Sequence, residues 1–373
     1  MKIPFLNLRA QHDLLKEELT AAFQRVLERS SFVLGPEVAA FEKEFANYLG
    51  VNHVIGVGSG TAALHVSMLA LGIEPGDEVI VPAMTFYATA EAVAITGAKP
   101  VFADIDPISY CLAPEQVERA ITPATRGILP VHMLGHAAEM DNIYSIADRH
   151  GLWICEDGAH APGGCYKGCR IGSLGTIAAF SFYPGKNIGA LGEAGAIATN
   201  DHTLAQLCHE YRNNGSIEKF RHVRIGINAR MDEVQAALLR VKLPYLDTWN
   251  DARISVAKVF DGGFANVPKL KRPSLGAGPG SESIFHVYAI RVEQRDRVFS
   301  ELQQLGINVN LHYPVPMHLH PGFACLEGKE GDFPEAELYA AETLSLPCFP
   351  ELTAKQIDNI ISTVREVISS TCG

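Results

Sequence analysis

Three short segments carry residue types and spacings that could do chemistry. In AAFSFYPGKNIGALGEAG (178–195) an apolar, β-forming run leads into a glycine-rich loop holding Lys186. An amine held there is poorly hydrated, so its pKa falls and its neutral form can add to a carbonyl to make a Schiff base. Most lysines are only surface charges, but Ser181 shares this run and small residues surround the amine. In CEDGAHAPG (155–163) the apolar run LWICED ends at Glu156 and Asp157, where open α/β sheets place their ligands. A carboxylate there could hold a metal, act as a base, pair with a protonated ring nitrogen or simply cap the next turn. His160, three residues on, could equally be a hydrogen-bonded core histidine. In GSGTAAL (58–64) small residues join a strand to a helix, and free amides at a helix N-terminus suit an anion such as phosphate. A cap by Ser59 or Thr61, for stability alone, is the alternative. The segment is neither GxGxxG nor GxxxxGKS/T, which disfavours a dinucleotide or nucleoside triphosphate.

The elements that must position these residues read as an α/β fold. HVIGVG (53–58), EVIVPA (78–83), KPVFADI (99–105), TRGILPVHM (125–133), LWICED (152–157), TIAAFSFYP (176–184) and GAIATN (195–200) predict seven strands. Most lack period-2 alternation, as strands buried on both faces do. TAALHVSMLALG, TFYATAEAVAITG and MDNIYSIADRHG between them show helical spacing, so a mainly parallel sheet between helices is expected. Residues 8–50 also read as helical, with Val38, Phe41, Phe45 and Leu49 on one stripe, and 231–260 is a long helical stretch interrupted at Pro244. PSLGAGPGSES (273–283) reads as a loop. FHVYAIRV, RDRVFSELQQLGI and TAKQIDNIISTVREVISS complete a smaller α+β unit. The expected division is a large α/β part over 1–250, with an N-terminal helical segment, and a small C-terminal part over 251–373.

Composition excludes several classes. The chain of 373 residues is 47% hydrophobic, and 31 Lys+Arg stand against 42 Asp+Glu, a formal net charge of −11. That is too apolar for disorder and too acidic for a generic nucleic-acid binder. No run approaches the ~18 apolar residues of a membrane span, and MKIPFLNLRAQ lacks the apolar core and cleavage site of a signal peptide. A cytoplasmic protein is expected. Eight cysteines (Cys111, Cys155, Cys165, Cys169, Cys208, Cys325, Cys348, Cys372) are too sparse for a disulfide framework, and Cys165 with Cys169 lacks the second Cys/His pair of a zinc site.

Taken together the chain resembles the fold-type I pyridoxal-phosphate (PLP) enzymes, and within them the DegT/DnrJ/EryC1/StrS sugar aminotransferases. The resemblance runs through IPFLNL, FVLGPEVAAFEKEFANYLG, GSGTAAL, PAMTFYATAEAV, FADID, EDGAHAPGGCYKGCRIGSLG, FSFYPGKNIGALGEAG, RNNG, GINARMDEVQAALLRVKL and HYPVPMHLHPGF, nearly the whole chain. It implies that Lys186 is the Schiff-base lysine and Asp157 the partner of the pyridine nitrogen. It further implies that Ser181 and the backbone at Gly60 and Thr61 hold the phosphate, that Phe86 stacks on the ring, and that His160 contacts the cofactor oxygen or the sugar. Asn228 matches an asparagine that a second subunit contributes in this family, so a homodimer with shared sites is implied. The cofactor would cycle between its aldehyde form and pyridoxamine phosphate (PMP).

Two positions depart from the common pattern: His160 stands where glutamine is frequent, and Glu193-Ala194 where the family usually has GDGG or GDAG. A lysine at 186 excludes the dehydratase branch, which carries histidine there. Tyr313, His318 and His320 of HYPVPMHLH are the candidate substrate contacts. Arg212, Lys219, Arg221 and Arg230 could serve a diphosphate or a donor carboxylate. The implied reaction moves an amino group from an amino acid, L-glutamate, to a nucleotide-linked keto sugar, foremost a 3-keto-6-deoxy sugar. A 4-keto sugar, a cyclitol, or a non-catalytic PLP-binding regulator are the alternatives.

Overall fold

A computed structural model describes residues 1–276 and 280–371; part of the loop over 273–283, and Cys372 of the expected free thiols, lie outside the described residues. Seven strands form the central sheet: β1 (His53–Val57), β2 (Glu78–Pro82), β3 (Lys99–Ala103), β4 (Thr125–Ile128), β5 (Trp153–Asp157), β6 (Ile177–Ser181) and β7 (Gly195–Thr199). Their order is β1-β7-β6-β5-β4-β2-β3. Strands β3, β2, β4, β5 and β6 run parallel, whereas β7 lies antiparallel to both β6 and β1. The chain thus forms the mainly parallel seven-stranded sheet between helices that its sequence predicts.

Two apolar layers cover this sheet. On one face the helix Pro36–Leu49 presents Val38, Phe41, Phe45 and Leu49, all buried. Phe45 meets Phe180 and Phe182 edge-on at 5.3 and 5.4 Å, an arrangement aromatic quadrupoles favour. On the other face the helices Gly60–Ala70 and Tyr87–Ala94 lie over Val57, Val79, Val81 and Ile197. Alanines at 178, 179, 196 and 198 keep β6 and β7 thin, so helices approach closely from both sides.

Several strands are shorter than their apolar runs. TRGILPVHM is a strand only over Thr125–Ile128, because Pro130 offers no amide and Leu134 turns the chain with φ +58°. TIAAFSFYP ends at Ser181, where the chain turns so that the Lys186 amide donates to the Tyr183 carbonyl (2.8 Å). The interruption at Pro244 is a 3-10 turn, Leu243–Tyr245, between the helices Glu233–Lys242 and Leu246–Phe264.

A separate apolar cluster joins Phe260, Tyr288, Ile290, Leu344, Ile360 and Val364. It lies around a three-stranded antiparallel sheet of β8 (Leu270–Lys271), β9 (Tyr288–Val292) and β10 (Thr343–Leu346), with the helices Arg295–Gln304 and Ala354–Thr371. Near the N-terminus Ile3 is buried in the same cluster and bridges to Ile307. Among the described residues no helix is long and apolar enough to cross a membrane.

Candidate active site

A cavity of about 630 Å³ opens where the central sheet meets the three-stranded sheet. The C-terminal ends of β5 and β6 form part of its wall, the place where parallel α/β sheets put ligands. Gly60, Thr61, Phe86, Asp157, His160, Ser181, Lys186 and Tyr313 all line it. Folding therefore brings together residues that lie more than two hundred and fifty positions apart in the chain.

Each of these side chains has an identifiable support. Asp157 ends β5 and is buried. Its Oδ2 accepts from Thr89 Oγ1 (2.8 Å) and its Oδ1 from the Ala159 amide (3.1 Å). Burial pushes its pKa up, and those hydrogen bonds together with Lys186 and His132 draw it back. Lys186 rides the turn after β6, and among the described residues no side chain pairs with its amine. Desolvation lowers its pKa to about 8, against an opposing pull from Asp157. About a tenth of this amine is therefore neutral and nucleophilic at pH 7, several hundredfold more than for an ordinary lysine.

The anion end is built from backbone. Ser59 caps the helix Gly60–Ala70 by accepting from the Ala62 amide (3.1 Å), so the amides of Gly60 and Thr61 have no helical partner. Gly60 is required by space: a Cβ there would stand 2.5 Å from the Ser181 Cβ. The Ser181 hydroxyl thus lies directly against the open helix end, beneath its positive dipole. Phe86, half-exposed at the start of Tyr87–Ala94, holds its ring 5.6 Å from that of Tyr313.

The opposite wall is aromatic and uncharged. His160 takes a hydrogen bond at Nδ1 from the Leu134 amide (3.4 Å), so its Nε2 hydrogen points to the Tyr313 oxygen at 3.2 Å. Burial, with Lys186 nearby, holds the His160 pKa well below the ordinary value, and His312 is pushed down to about 4 for the same reasons. Neutral histidines leave Lys186 and the buried Arg253 as the cationic side chains of this cavity.

Other sequence candidates lie outside the cavity. His318 is buried and bonded to Glu337 (2.9 Å), and His320 packs edge-on against Tyr87. Asn228 is exposed, its Oδ1 accepting from Arg230 Nε at 3.0 Å. Arg212 is spent inside the fold, paired with Glu42 (2.5 Å) and the Gly56 carbonyl (2.6 Å). Lys219 and Arg221 sit exposed on the hairpin Ser216–His222. Conversely, His286, His312 and Arg253 line the cavity without having been singled out in the sequence. His312 adjoins Tyr313 in HYPVPMHLH and was within reach of that argument, whereas His286 and Arg253 carry no local signal.

Comparison with known proteins agrees with this geometry. Residues 13–365 match the DegT/DnrJ/EryC1/StrS aminotransferase family. The chain is similar to the dTDP-3-amino-3,4,6-trideoxy-alpha-D-glucose transaminase of Streptomyces venezuelae, 46% identical over 98% of this chain and 96% of that protein. It is 43% identical to a pleiotropic regulatory protein of Geobacillus stearothermophilus, over 98% of both chains. Its fold superposes on the crystal structure of S. venezuelae DesV in complex with a ketimine intermediate, with a TM-score of 0.95, 46% identity and 98% of each chain covered. With a desolvated lysine, a buried aspartate and an open helix N-terminus converging on one cavity, the chain belongs to the DegT/DnrJ/EryC1/StrS family of PLP-dependent aminotransferases.

Proposed function

We propose that this protein takes the amino group of an amino acid, L-glutamate, and delivers it to a keto sugar carried on a nucleotide diphosphate, at C3 of a 6-deoxy sugar, in the cytoplasmic synthesis of amino sugars for glycans, O-antigen or antibiotics. The observation that carries this reading is the desolvated amine of Lys186 opening on the same cavity as the buried carboxylate of Asp157. The 3-amino sugar in the name of the S. venezuelae relative supports the position of the carbonyl.

The residues fit a phosphorylated pyridine aldehyde. The unpartnered amides of Gly60 and Thr61, with the Ser181 hydroxyl pressed against them, make a phosphate cradle that a Cβ at position 60 would fill. Phe86 offers a ring face, and Asp157 a carboxylate for the ring nitrogen. Lys186 offers an amine that is neutral often enough to join the aldehyde. When bound, the cofactor supplies an electron sink for the pair left behind as a substrate Cα–H bond breaks.

The chain's own residues do the rest. Asp157, held by Thr89 and Ala159, keeps a proton on the ring nitrogen, which makes the sink effective. Lys186 Nζ, with no side chain among the described residues paired to it, would serve as the base that takes up and hands back the proton leaving the substrate carbon. Its depressed pKa matches both roles, since an amine near 8 accepts and releases protons at neutral pH. His160 and Tyr313 hold one hydrogen-bonded wall against the reacting groups.

The same reading makes the working unit a homodimer, with Asn228 of a second copy closing the phosphate cradle. Support comes from the exposed hairpin region that precedes it, where Phe220 is 87% and Ile225 94% exposed. Large apolar side chains in that state suit a surface covered by another chain. It also takes residues 1–250 as the cofactor part and 251–373 as the smaller part, in keeping with the separate apolar cluster around Phe260 and Tyr288. The test is direct: PLP-loaded protein is mixed with L-glutamate, and the resulting PMP form is then offered nucleotide-linked 3-keto and 4-keto sugars and inososes. Regeneration of the aldehyde form by the 3-keto sugar is expected. A protein that glutamate cannot convert is not this transaminase, and would instead fit the regulatory role in the name of the Geobacillus relative.

A further inference from the structure

His286 lines the same cavity and has no part in the chemistry above, yet the fold fixes it from three directions. Its backbone is clamped to the loop that follows β4. Phe285 adopts φ +46° and Gly135 φ +100°, and a Cβ on Gly135 would stand 2.9 Å from the Phe285 nitrogen and 3.0 Å from that of His286. The Ile284 amide donates to the Gly135 carbonyl at 3.1 Å. A bulky residue stays in the left-handed region only where its surroundings over-determine it. The ring itself packs on His160, with centroids 4.7 Å apart and planes 33° from parallel.

The third constraint decides which nitrogen carries the hydrogen. The Pro162 carbonyl can only accept, so Asn250 presents its amide nitrogen there (3.1 Å). The Asn250 oxygen then accepts from the Asn187 amide nitrogen (2.7 Å), which leaves the Asn187 oxygen facing His286 Nδ1 at 3.1 Å. An oxygen there requires a hydrogen on Nδ1. Asn187 and Asn250 are both buried, so this chain of hydrogen bonds is shielded from bulk water. Burial, with Lys186, His160 and Arg253 around it, holds the His286 pKa well below the ordinary value and keeps the ring neutral. A neutral ring has one N–H, so Nε2 is a bare lone pair. Among the described residues it has no hydrogen-bond partner and it is not enclosed, so it opens on the cavity.

We propose that His286 is a specificity-determining residue whose Nε2 accepts a hydrogen bond from a hydroxyl group of the sugar, next to the carbonyl that is aminated. This rests on the keto-sugar reading given above. A bare lone pair can only accept, so the acceptor-only carboxylates of an amino donor cannot bond to it, and the cations Lys186 and Arg253 disfavour an ammonium beside it. A neutral O–H is the donor that remains, and a sugar carries several.

The test separates the two half-reactions of the holoenzyme by rapid-mixing absorbance: the PLP form with L-glutamate, and the PMP form with the nucleotide-linked 3-keto sugar. His286→Leu should slow the sugar half-reaction roughly 10–100-fold while leaving the glutamate half-reaction within about threefold of the parent. His286→Gln, whose Oε1 can stand where Nε2 stood, should recover most of the loss. A deoxy analogue lacking the flanking hydroxyl should slow the unmodified enzyme by a similar factor and slow His286→Leu no further. Equal loss in both half-reactions without rescue by glutamine overturns the proposal, as does an unmodified enzyme indifferent to the deoxy analogue. If His286→Leu does not fold, the deoxy comparison on the unmodified enzyme decides. If glutamate converts the enzyme but no nucleotide keto sugar reverses it, the substrate reading has failed, and this proposal with it.

Discussion

The carboxylate of Asp157 and the amine of Lys186 reach one cavity from the ends of neighbouring strands, yet they form no ion pair. They feel each other's charge, but the larger influences are local: two hydrogen bonds hold Asp157, and desolvation loosens the proton on Lys186. This separation lets one group stay anionic while the other is free to be neutral, as their proposed roles require.

The pH behaviour follows from Lys186. Only the neutral amine adds to an aldehyde, so colour formation by cofactor-free protein mixed with PLP should quicken about tenfold per pH unit below about 8 and level off above it. Lys186→Ala should form no borohydride-fixed adduct and should have no turnover. In the cofactor-free fold this lysine binds its proton less tightly than in the unfolded chain. Its contribution to stability should therefore rise as pH climbs from about 8 toward the ordinary lysine range. Stopped-flow absorbance and urea melts across pH check both; a rate flat from pH 6 to 9 would sink the argument.

Asp157→Asn should retain cofactor but lower turnover by at least about 100-fold, because a neutral amide cannot keep the ring nitrogen protonated. Thr89→Val removes the hydroxyl that donates to Oδ2, and with it a preference for the charged carboxylate. The acid limb of its pH–rate profile should move to higher pH. A Thr89→Val profile superimposable on that of the parent would show that the hydroxyl does not tune Asp157.

Gly60→Ala tests the cradle. The added methyl would meet the Ser181 Cβ at 2.5 Å, and overpacking at such a place costs about 1–3 kcal/mol. Cofactor affinity, measured by equilibrium dialysis, should fall by roughly tenfold or more. Affinity equal to that of the parent would mean that the helix end does not hold the phosphate.

The shared-site proposal predicts complementation. Lys186→Ala and Asn228→Ala proteins, each inactive or impaired alone, should regain part of their activity when subunits are exchanged, since one site of the mixed dimer is then intact. Exchange proven by mass spectrometry with no recovered activity would place Asn228 in its own chain's site or in none.

Much of the site was legible because it sits where a local signal ends. Asp157 closes a β-forming run, Ser181 lies on the next, Lys186 follows in a glycine-rich turn, and Gly60 and Thr61 open a helix after small residues. Such positions are read from composition and spacing, since a buried parallel strand must be apolar and its end must turn. The stripe Val38, Phe41, Phe45, Leu49 was legible for the same reason and is buried as a unit.

What only the tertiary structure decided is which distant residues share the cavity. His318 and His320 stand five and seven positions after Tyr313, yet they pack on Glu337 and Tyr87 instead of facing the cavity. Arg212, a free cation by sequence, is consumed by Glu42. His286 and Arg253 are unremarkable in their segments: His286 is carried in by the packing of its loop against Gly135, and Arg253 by the helix Leu246–Phe264, where it donates to the Cys348 carbonyl. The sequence by itself determined which seven runs become strands and which lysine and aspartate carry the chemistry, because those follow from local burial patterns. The protonation states and partners of the wall residues depend on desolvation and hydrogen bonds between segments far apart in the chain, and those exist only once the chain has folded.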